Sequence, residues 1–427
     1  MGDIEFLAIL NDNIGVYFLS LFISFFPILY LLRITYISFV DPLFYQIVMA
    51  GFANTVPLFL FIVGEIEPNY FVYFVLAESF FWGGFMLGLK KRINENKKIL
   101  VNEQLFAKIM YSIFFVAICV LNVSTYFFWG IPAFSESRNE TFVGSGGWGA
   151  ISHLTPFMMF YCVFYSFYLI HIGRVKFVAY TVFFCIAMFC ILSGSRSSLL
   201  IFASSYFTYN YFYLNKLPSK RVVKLIMIIA ISGAMLIFSF SVSQGGLIGA
   251  LLAFVYRVVG NGDIYWLAFP NEMITGVDSS PWYIDLFYSP LYSLRILDYA
   301  DSKPLIGYQL VVLNNYGRAA YTAIGANIRP PVYGYYHFGW GGLIFSFIIG
   351  YLVAFGVKNI VRMFPKGILG ISMGAFFYIQ IMAMFIDPPL GIAFIFDAVL
   401  GGGLLLFIFM FIAFVCAFFS KTSNELT

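Results

Sequence analysis

A chain of 427 residues that is 61% hydrophobic, 21% aromatic and only 10% charged does not have the make-up of a soluble protein. Soluble domains carry about a quarter charged residues and cannot hide this much apolar surface. The net charge of +4 is too small to suggest nucleic acid as a partner, whereas a lipid bilayer accommodates the composition directly. The chain reads as a single integral membrane domain over residues 1–427, all-α and polytopic.

Apolar runs of about 20 residues fit the hydrocarbon thickness of a membrane, and run length with polar breaks predicts about eleven spans. They fall at 14–32, 42–63, 70–89, 105–129, 151–172, 175–193, 198–214, 224–243, 337–357, 368–386 and 392–418. The opening residues Met1-Gly2-Asp3-Ile4-Glu5 lack a basic n-region, which argues against a cleaved signal peptide. Cys119, Cys162, Cys185, Cys190 and Cys416 all lie inside apolar runs. They show neither a disulfide framework nor metal-ligand spacing, and read as buried membrane cysteines.

Lysine and arginine in short loops set orientation. Lys90, Lys91, Arg92, Lys97 and Lys98, then Arg174 and Lys176, then Lys216, Lys220, Arg221 and Lys224, and lastly Lys358, Arg362 and Lys366 occupy alternate breaks. All are cytoplasmic if the N-terminus lies outside and the C-terminus inside. The basic residues then left outside are Arg138, Arg196, Arg257, Arg295, Lys303, Arg318 and Arg329, nearly all arginine. Arginine offers a planar fork of donors that matches phosphate oxygens. A set of them on the outer face points to an anionic ligand, and lipid-linked diphosphates are the membrane candidates. Pairing with Asp263, Asp278, Asp298 or Asp301, or with lipid headgroups, also accounts for any one of them.

Three outside regions follow in chain order. The first, 130–150, holds Arg138, Glu140 and the run Gly144-Ser145-Gly146-Gly147-Trp148-Gly149. The second is Ser193-Gly194-Ser195-Arg196-Ser197-Ser198, where small residues can cap an outward-facing helix start and leave N–H groups for a phosphate. A plain serine-capped turn accounts for the serines but not for Arg196, whose cost at membrane depth calls for a partner. The third, 244–336, is the long segment between the eighth and ninth spans. It contains an apolar piece at 247–259, too short to span, and an aromatic piece at 282–297; both suit the membrane interface. Its aromatic rings can stack on sugars, and aromatic residues also gather at any interface.

No DxD occurs outside the membrane, and no P-loop, GxSxG or HExxH occurs anywhere. Asp298-Tyr299-Ala300-Asp301 is a single DxxD. Diphosphate handling would then fall to arginines and helix ends, with neither metal nor other cofactor. A sugar hydroxyl acting as nucleophile needs a base, for which Asp263, Glu140, Glu272, Asp298, Asp301 and His337 are available; histidine is the residue type whose ordinary titration lies nearest neutrality. His153, at the outer start of the fifth span, is a lesser candidate.

The Ser193–Ser198 run before a span, the large outside segment with spaced arginines, and Phe338-Gly339-Trp340-Gly341-Gly342 opening a late span together resemble the Wzy family. These are the O-antigen or polysaccharide repeat-unit polymerases of bacterial inner membranes. The resemblance covers the whole architecture and rests on short motifs. It implies a polyprenyl-diphosphate-linked oligosaccharide as donor, a lipid-linked repeat unit as acceptor, a periplasm-facing site, and a chain-length regulator as protein partner. On that reading Arg196, Arg318 and Arg329, with Ser195 and Ser197, hold diphosphate. Arg257 stabilises the leaving group, Asp263 or His337 deprotonates the acceptor, and Tyr256, Trp266 and Tyr336 line the glycan path. The family's R-x10-G loop motif fits only Arg138–Gly149 and none of the later arginines. O-antigen ligases share the outside histidine and arginines, so a ligase is the alternative. A lipid-linked-oligosaccharide flippase would spread its charges along a central cavity instead, and a membrane scaffold would leave the arginine asymmetry unexplained.

Overall fold

The computed structural model describes residues 1–94, 103–134, 149–173, 175–193, 199–228, 232, 255, 258–278, 280–297, 303–314 and 325–425. Among them every regular element is helical. The first half comprises α1 (Asp3–Asp12), α2 (Ile14–Thr35), α3 (Pro42–Val63), α4 (Pro68–Lys90), α5 (Glu103–Trp129), α6 (Gly149–His171), α7 (Lys176–Leu192) and α8 (Leu200–Thr208), which continues as a π-helical turn over Tyr209–Tyr213. The second half comprises α9 (Asp263–Ala268), α10 (Trp282–Leu286), α11 (Tyr288–Ser293), α12 (Ile306–Asn314), α13 (Pro330–Phe338), α14 (Gly342–Met363), α15 (Ile368–Ile381) and α16 (Pro388–Glu425).

Seven helical stretches among the described residues are long and apolar enough to cross a membrane: Ile14–Thr35, Pro42–Val63, Pro68–Lys90, Glu103–Trp129, His153–His171, Pro330–Met363 and Ile368–Phe385. Lys176–Leu192 and Pro388–Leu404 are shorter apolar helices. The chain is thus an all-α, multi-pass membrane protein. The expected span at 224–243 lies mostly outside the described residues. Rings such as Phe22 and Phe26 of α2, Phe127 of α5 and Phe177 of α7 are exposed, as side chains facing lipid would be.

Helix ends follow local chemistry. Pro42 occupies the first turn of α3, where its missing N–H costs nothing, and Asp41 Oδ1 accepts the Leu43 N–H at 3.0 Å. Gly64 closes the same helix in the left-handed conformation at φ 85°.

The closest pairing in the bundle is that of α4 with α14. The two run parallel: Tyr73 lies beside Gly342, and Asn359 Nδ2 donates to the Lys91 carbonyl at 2.9 Å. Between these ends, Gly84 and Gly88 back onto the main chain at Phe347 and Tyr351, and Gly350 backs onto the main chain at Phe81. Small residues at four-residue spacing let helix backbones approach where lipid supplies no hydrophobic drive. Lys358 Nζ donates to the Leu89 carbonyl, and Glu103 Oε1 accepts the Leu369 N–H at 2.7 Å. Lys90, Lys91, Arg92, Lys358, Arg362 and Lys366 therefore gather at one end of the bundle.

The other end carries a module built from α1 and α9–α13. Its core takes Phe6 from α1, Phe59 from α3, Phe74 from α4 and the whole of Ile264–Ala268 in α9. The ninth span was expected to begin at residue 337; here the chain breaks at Gly339 (φ 54°, ψ −130°), a conformation suited to glycine. Helix α13 folds back so that Gly334 packs on Gly342 and Tyr333 stacks on Phe345, centroids 5.1 Å apart. The N-terminus of α13 is thereby pushed into the bundle.

Candidate functional site

Arg329 stands at that pushed-in end. It is the N-cap of α13, with Pro330 and Pro331 filling the first turn, and it is only 2% exposed. Its Nε donates to the Asn261 carbonyl at 3.0 Å. Asn261 belongs to the turn Gly260–Gly262, which sits tight against α3: a side chain at Gly262 would meet Val56 and the Ala53 carbonyl. Glu78, ten residues or about 15 Å into α4, lies within electrostatic reach of Arg329. Its Oε2 accepts from Asn54 Nδ2 and Trp82 Nε1, each at 2.9 Å. Four buried polar atoms in this region have no hydrogen-bond partner: Arg329 Nη2, Asn54 Oδ1, Tyr265 Oη and Tyr73 Oη. Buried groups are nearly always satisfied in folded proteins, so a cluster of orphans has the character of a binding site.

At the other end of α13, next to its last residue, lies His337. Its Nε2 is 3.2 Å from Asp285 Oδ2, with the side chains 6% and 2% exposed. When the carboxylate accepts a hydrogen bond from Nε2–H, Nδ1 of the neutral ring is left as an acceptor, the form a base requires. Tyr333 and Tyr336 flank the imidazole at centroid distances of 4.6 and 4.8 Å, and their hydroxyls donate to the carbonyls of Trp282 and Val277. Asp387, between α15 and α16, accepts N–H groups from Ile328 and Leu390. Burial first, and then the charge of Asp285, push the Asp387 carboxyl up to about 6 against those two bonds.

The sequence-derived residues separate on this frame. Arg329, His337 and Tyr336 share α13 and its cap. Asp263 is the first residue of α9, its Oδ1 accepting the Ile264 N–H at 2.8 Å; the histidine is paired with Asp285 instead. Trp266 is fully enclosed, stacked on Phe6, with Nε1 donating to Asp3 Oδ1. It serves as a core residue. Asp278 pairs with Lys303, the outside lysine, and not with an arginine. Arg138, Arg196, Arg257, Arg318, Ser195, Ser197, Tyr256, Glu140, Asp298 and Asp301 lie outside the described residues, as does most of 247–259.

Asp285, Glu78, Asn54 and Asp387 were not singled out from sequence. Glu78 and Asn54 carried a usable signal, because an acid or amide inside an apolar span is costly and calls for a partner. Asp285 carried none, since it is one more acid in a polar segment. Among the described residues no group of three His, Cys, Asp or Glu is arranged to hold a metal ion.

Fold and site together define a multi-pass, all-α membrane protein with a buried arginine and a histidine–aspartate pair in a helical module at one end of its bundle. No protein-family model, curated protein or solved structure matches the chain. The likeness to the Wzy family rests on the sequence motifs alone.

Proposed function

We propose that this protein is a membrane glycosyltransferase that joins polyprenyl-diphosphate-linked oligosaccharide repeats into a surface polysaccharide. The module would face the periplasm of a bacterial inner membrane, with the basic end in the cytoplasm. The observation that carries the reading is Arg329: a buried cation with an unpartnered Nη2, set among other orphaned polar atoms. A lipid-anchored diphosphate lies at the membrane surface, at the end of the bundle where this module sits, and the guanidinium fork fits its oxygens.

In the reaction the anomeric carbon–diphosphate bond breaks as an acceptor hydroxyl bonds to that carbon. The hydroxyl proton passes to His337 Nδ1, with Asp285 holding the ring. Arg329 stabilises the charge that grows on the departing diphosphate, a benefit larger in the transition state than in the bound donor. Eight residues of α13, about 12 Å, separate the two groups, enough for a sugar ring and its diphosphate.

The test is elongation of purified lipid-linked repeats by protein in nanodiscs, with lipid A core offered as a competing acceptor. Arg329→Lys keeps the charge but loses the fork, and should lose on the order of a hundred- to a thousand-fold in rate. Transfer to lipid A core without elongation would replace the polymerase with a ligase. Elongation by Arg329→Ala at the unaltered rate would overturn the site.

A further inference from the structure

A second cluster lies where α6, α11 and α16 meet, separate from Arg329 and His337. His153 Nδ1 is 2.6 Å from Asp397 Oδ1, and His153 Nε2 is 2.9 Å from Ser293 Oγ. The three residues come from far-apart stretches of chain and fall into the hydrogen-bonded order hydroxyl, imidazole, carboxylate. Both links lie within the distances expected of an activated nucleophile, its base and the group that orients the base.

The chemistry of each member suits that order. Asp397 sits in the apolar helix α16, where a carboxylate calls for a partner. Its oxygen accepts a hydrogen bond from Nδ1–H and so fixes the tautomer, leaving Nε2 free to accept from Ser293 Oγ–H. The ring is held edge-on by Phe396, centroids 6.1 Å apart. Exposure rises along the relay: the Asp397 and His153 side chains are 11% and 21% exposed, and Ser293 is open at the end of α11. A purely structural bridge has no need of an open hydroxyl at the histidine's far nitrogen.

We propose that Ser293, His153 and Asp397 form a nucleophilic centre that takes an acyl group from a carboxylic ester with an apolar chain, as membrane lipids present. Phe287, Leu294 and Ile296, within six residues of the serine along the chain, expose apolar side chains that suit such an acyl chain. Arg295, two residues beyond it, turns through a left-handed backbone (φ 55°); its backbone N–H donates to the Tyr292 carbonyl at 2.9 Å, and the residue is exposed. It is the candidate donor to the carbonyl oxygen. Ser293 Oγ bonds to the ester carbonyl carbon while its proton moves to His153 Nε2. The carbon–alkoxy bond then breaks, and the leaving alcohol carries that proton away. Ser293 retains the acyl group until water or another hydroxyl takes it by the same steps in reverse. This centre is independent of the polymerase reading and stands or falls without it.

The test treats full-length protein in nanodiscs with alkyl fluorophosphonates bearing two-carbon or twelve-carbon chains, and maps the adduct by mass spectrometry. Labelling at Ser293 is expected, faster with the longer chain, absent in Ser293→Ala, and slowed on the order of 10⁴-fold in Asp397→Asn. A second variant guards against loss of fold. In Ser293→Cys, iodoacetamide should alkylate residue 293 at least tenfold faster when His153 is present than in the His153→Ala double variant. No adduct on Ser293, together with a cysteine rate indifferent to His153, would show the cluster to be a structural bridge. Equal labelling by the two chain lengths would remove the lipid-ester assignment.

Discussion

The indole of Trp266 lies flat on the ring of Phe6, centroids 4.0 Å apart and planes 12° from parallel. This contact docks the first helix of the chain onto α9, at the centre of the module that holds Arg329 and His337. It also removes Trp266 from any surface a glycan could touch. Stacked aromatic pairs add about 0.5–1.5 kcal/mol beyond the area they bury.

Trp266→Ala should therefore act on stability. Loss of a buried ring typically costs about 3–5 kcal/mol, so the variant should melt earlier in detergent and reach lower levels in membranes. Sugar affinity of the remaining folded fraction should be unchanged. A stably folded Trp266→Ala protein with weakened glycan binding would return the residue to the glycan path.

Gly84→Leu should disrupt the pairing of α4 with α14, because the first added carbon already meets the Phe347 carbonyl oxygen. Overpacking costs about 1–3 kcal/mol where side chains can yield; here the obstacle is backbone, so loss of folded protein is expected. Gly83→Leu, one residue away and with nothing near its added carbon, is the matched control. Fluorescence-detected size exclusion would separate the two, and equal profiles would sink the argument.

Asp285→Asn should slow glycan transfer without unfolding the module. An amide in place of the carboxylate weakens the orientation of His337, and positioned acid–base groups contribute roughly 10²–10⁴ in rate. The loss should appear in kcat more than in KM. A loss confined to KM would make Asp285 a binding residue.

Asp387 gives a pH prediction whose sign follows from its raised carboxyl, about 6 in the fold against an ordinary 3.8. The neutral form is the one the fold favours. Its contribution is fully present below the ordinary value and is lost as pH rises through about 6. The fall in Tm across that window should be smaller in Asp387→Asn than in the unaltered protein. An identical fall in both would show that Asp387 does not titrate in the fold.

Sidedness can be read with cysteines at two exposed positions, Thr275 in the module and Asn94 beyond α4. In intact cells an impermeant thiol reagent should reach Thr275→Cys and not Asn94→Cys. The opposite pattern would place the module in the cytoplasm and exclude a periplasmic polymerase.

Most of the bundle was legible in the sequence because the membrane imposes a simple rule on it. Apolar runs matched in length to the bilayer must be helical, since every backbone donor needs a partner within its own segment. Thus α2, α3, α4 and α5 lie close to their expected bounds, and the lysine-rich breaks at Lys90–Lys91 and Lys358 do meet at one end. Arg329 and His337 were singled out by residue type and position. Their neighbours were not. Nothing in the run of residues announces that Gly339 turns α13 back on α14, that Asp285 lies 52 positions upstream of the histidine it pairs with, or that Ser293 and Asp397, 140 and 244 positions downstream, bond to the two nitrogens of His153. Hydropathy is a property of each segment alone, whereas a hydrogen bond across the fold depends on which backbones can approach, and that is decided by packing at glycines such as Gly84, Gly334 and Gly350.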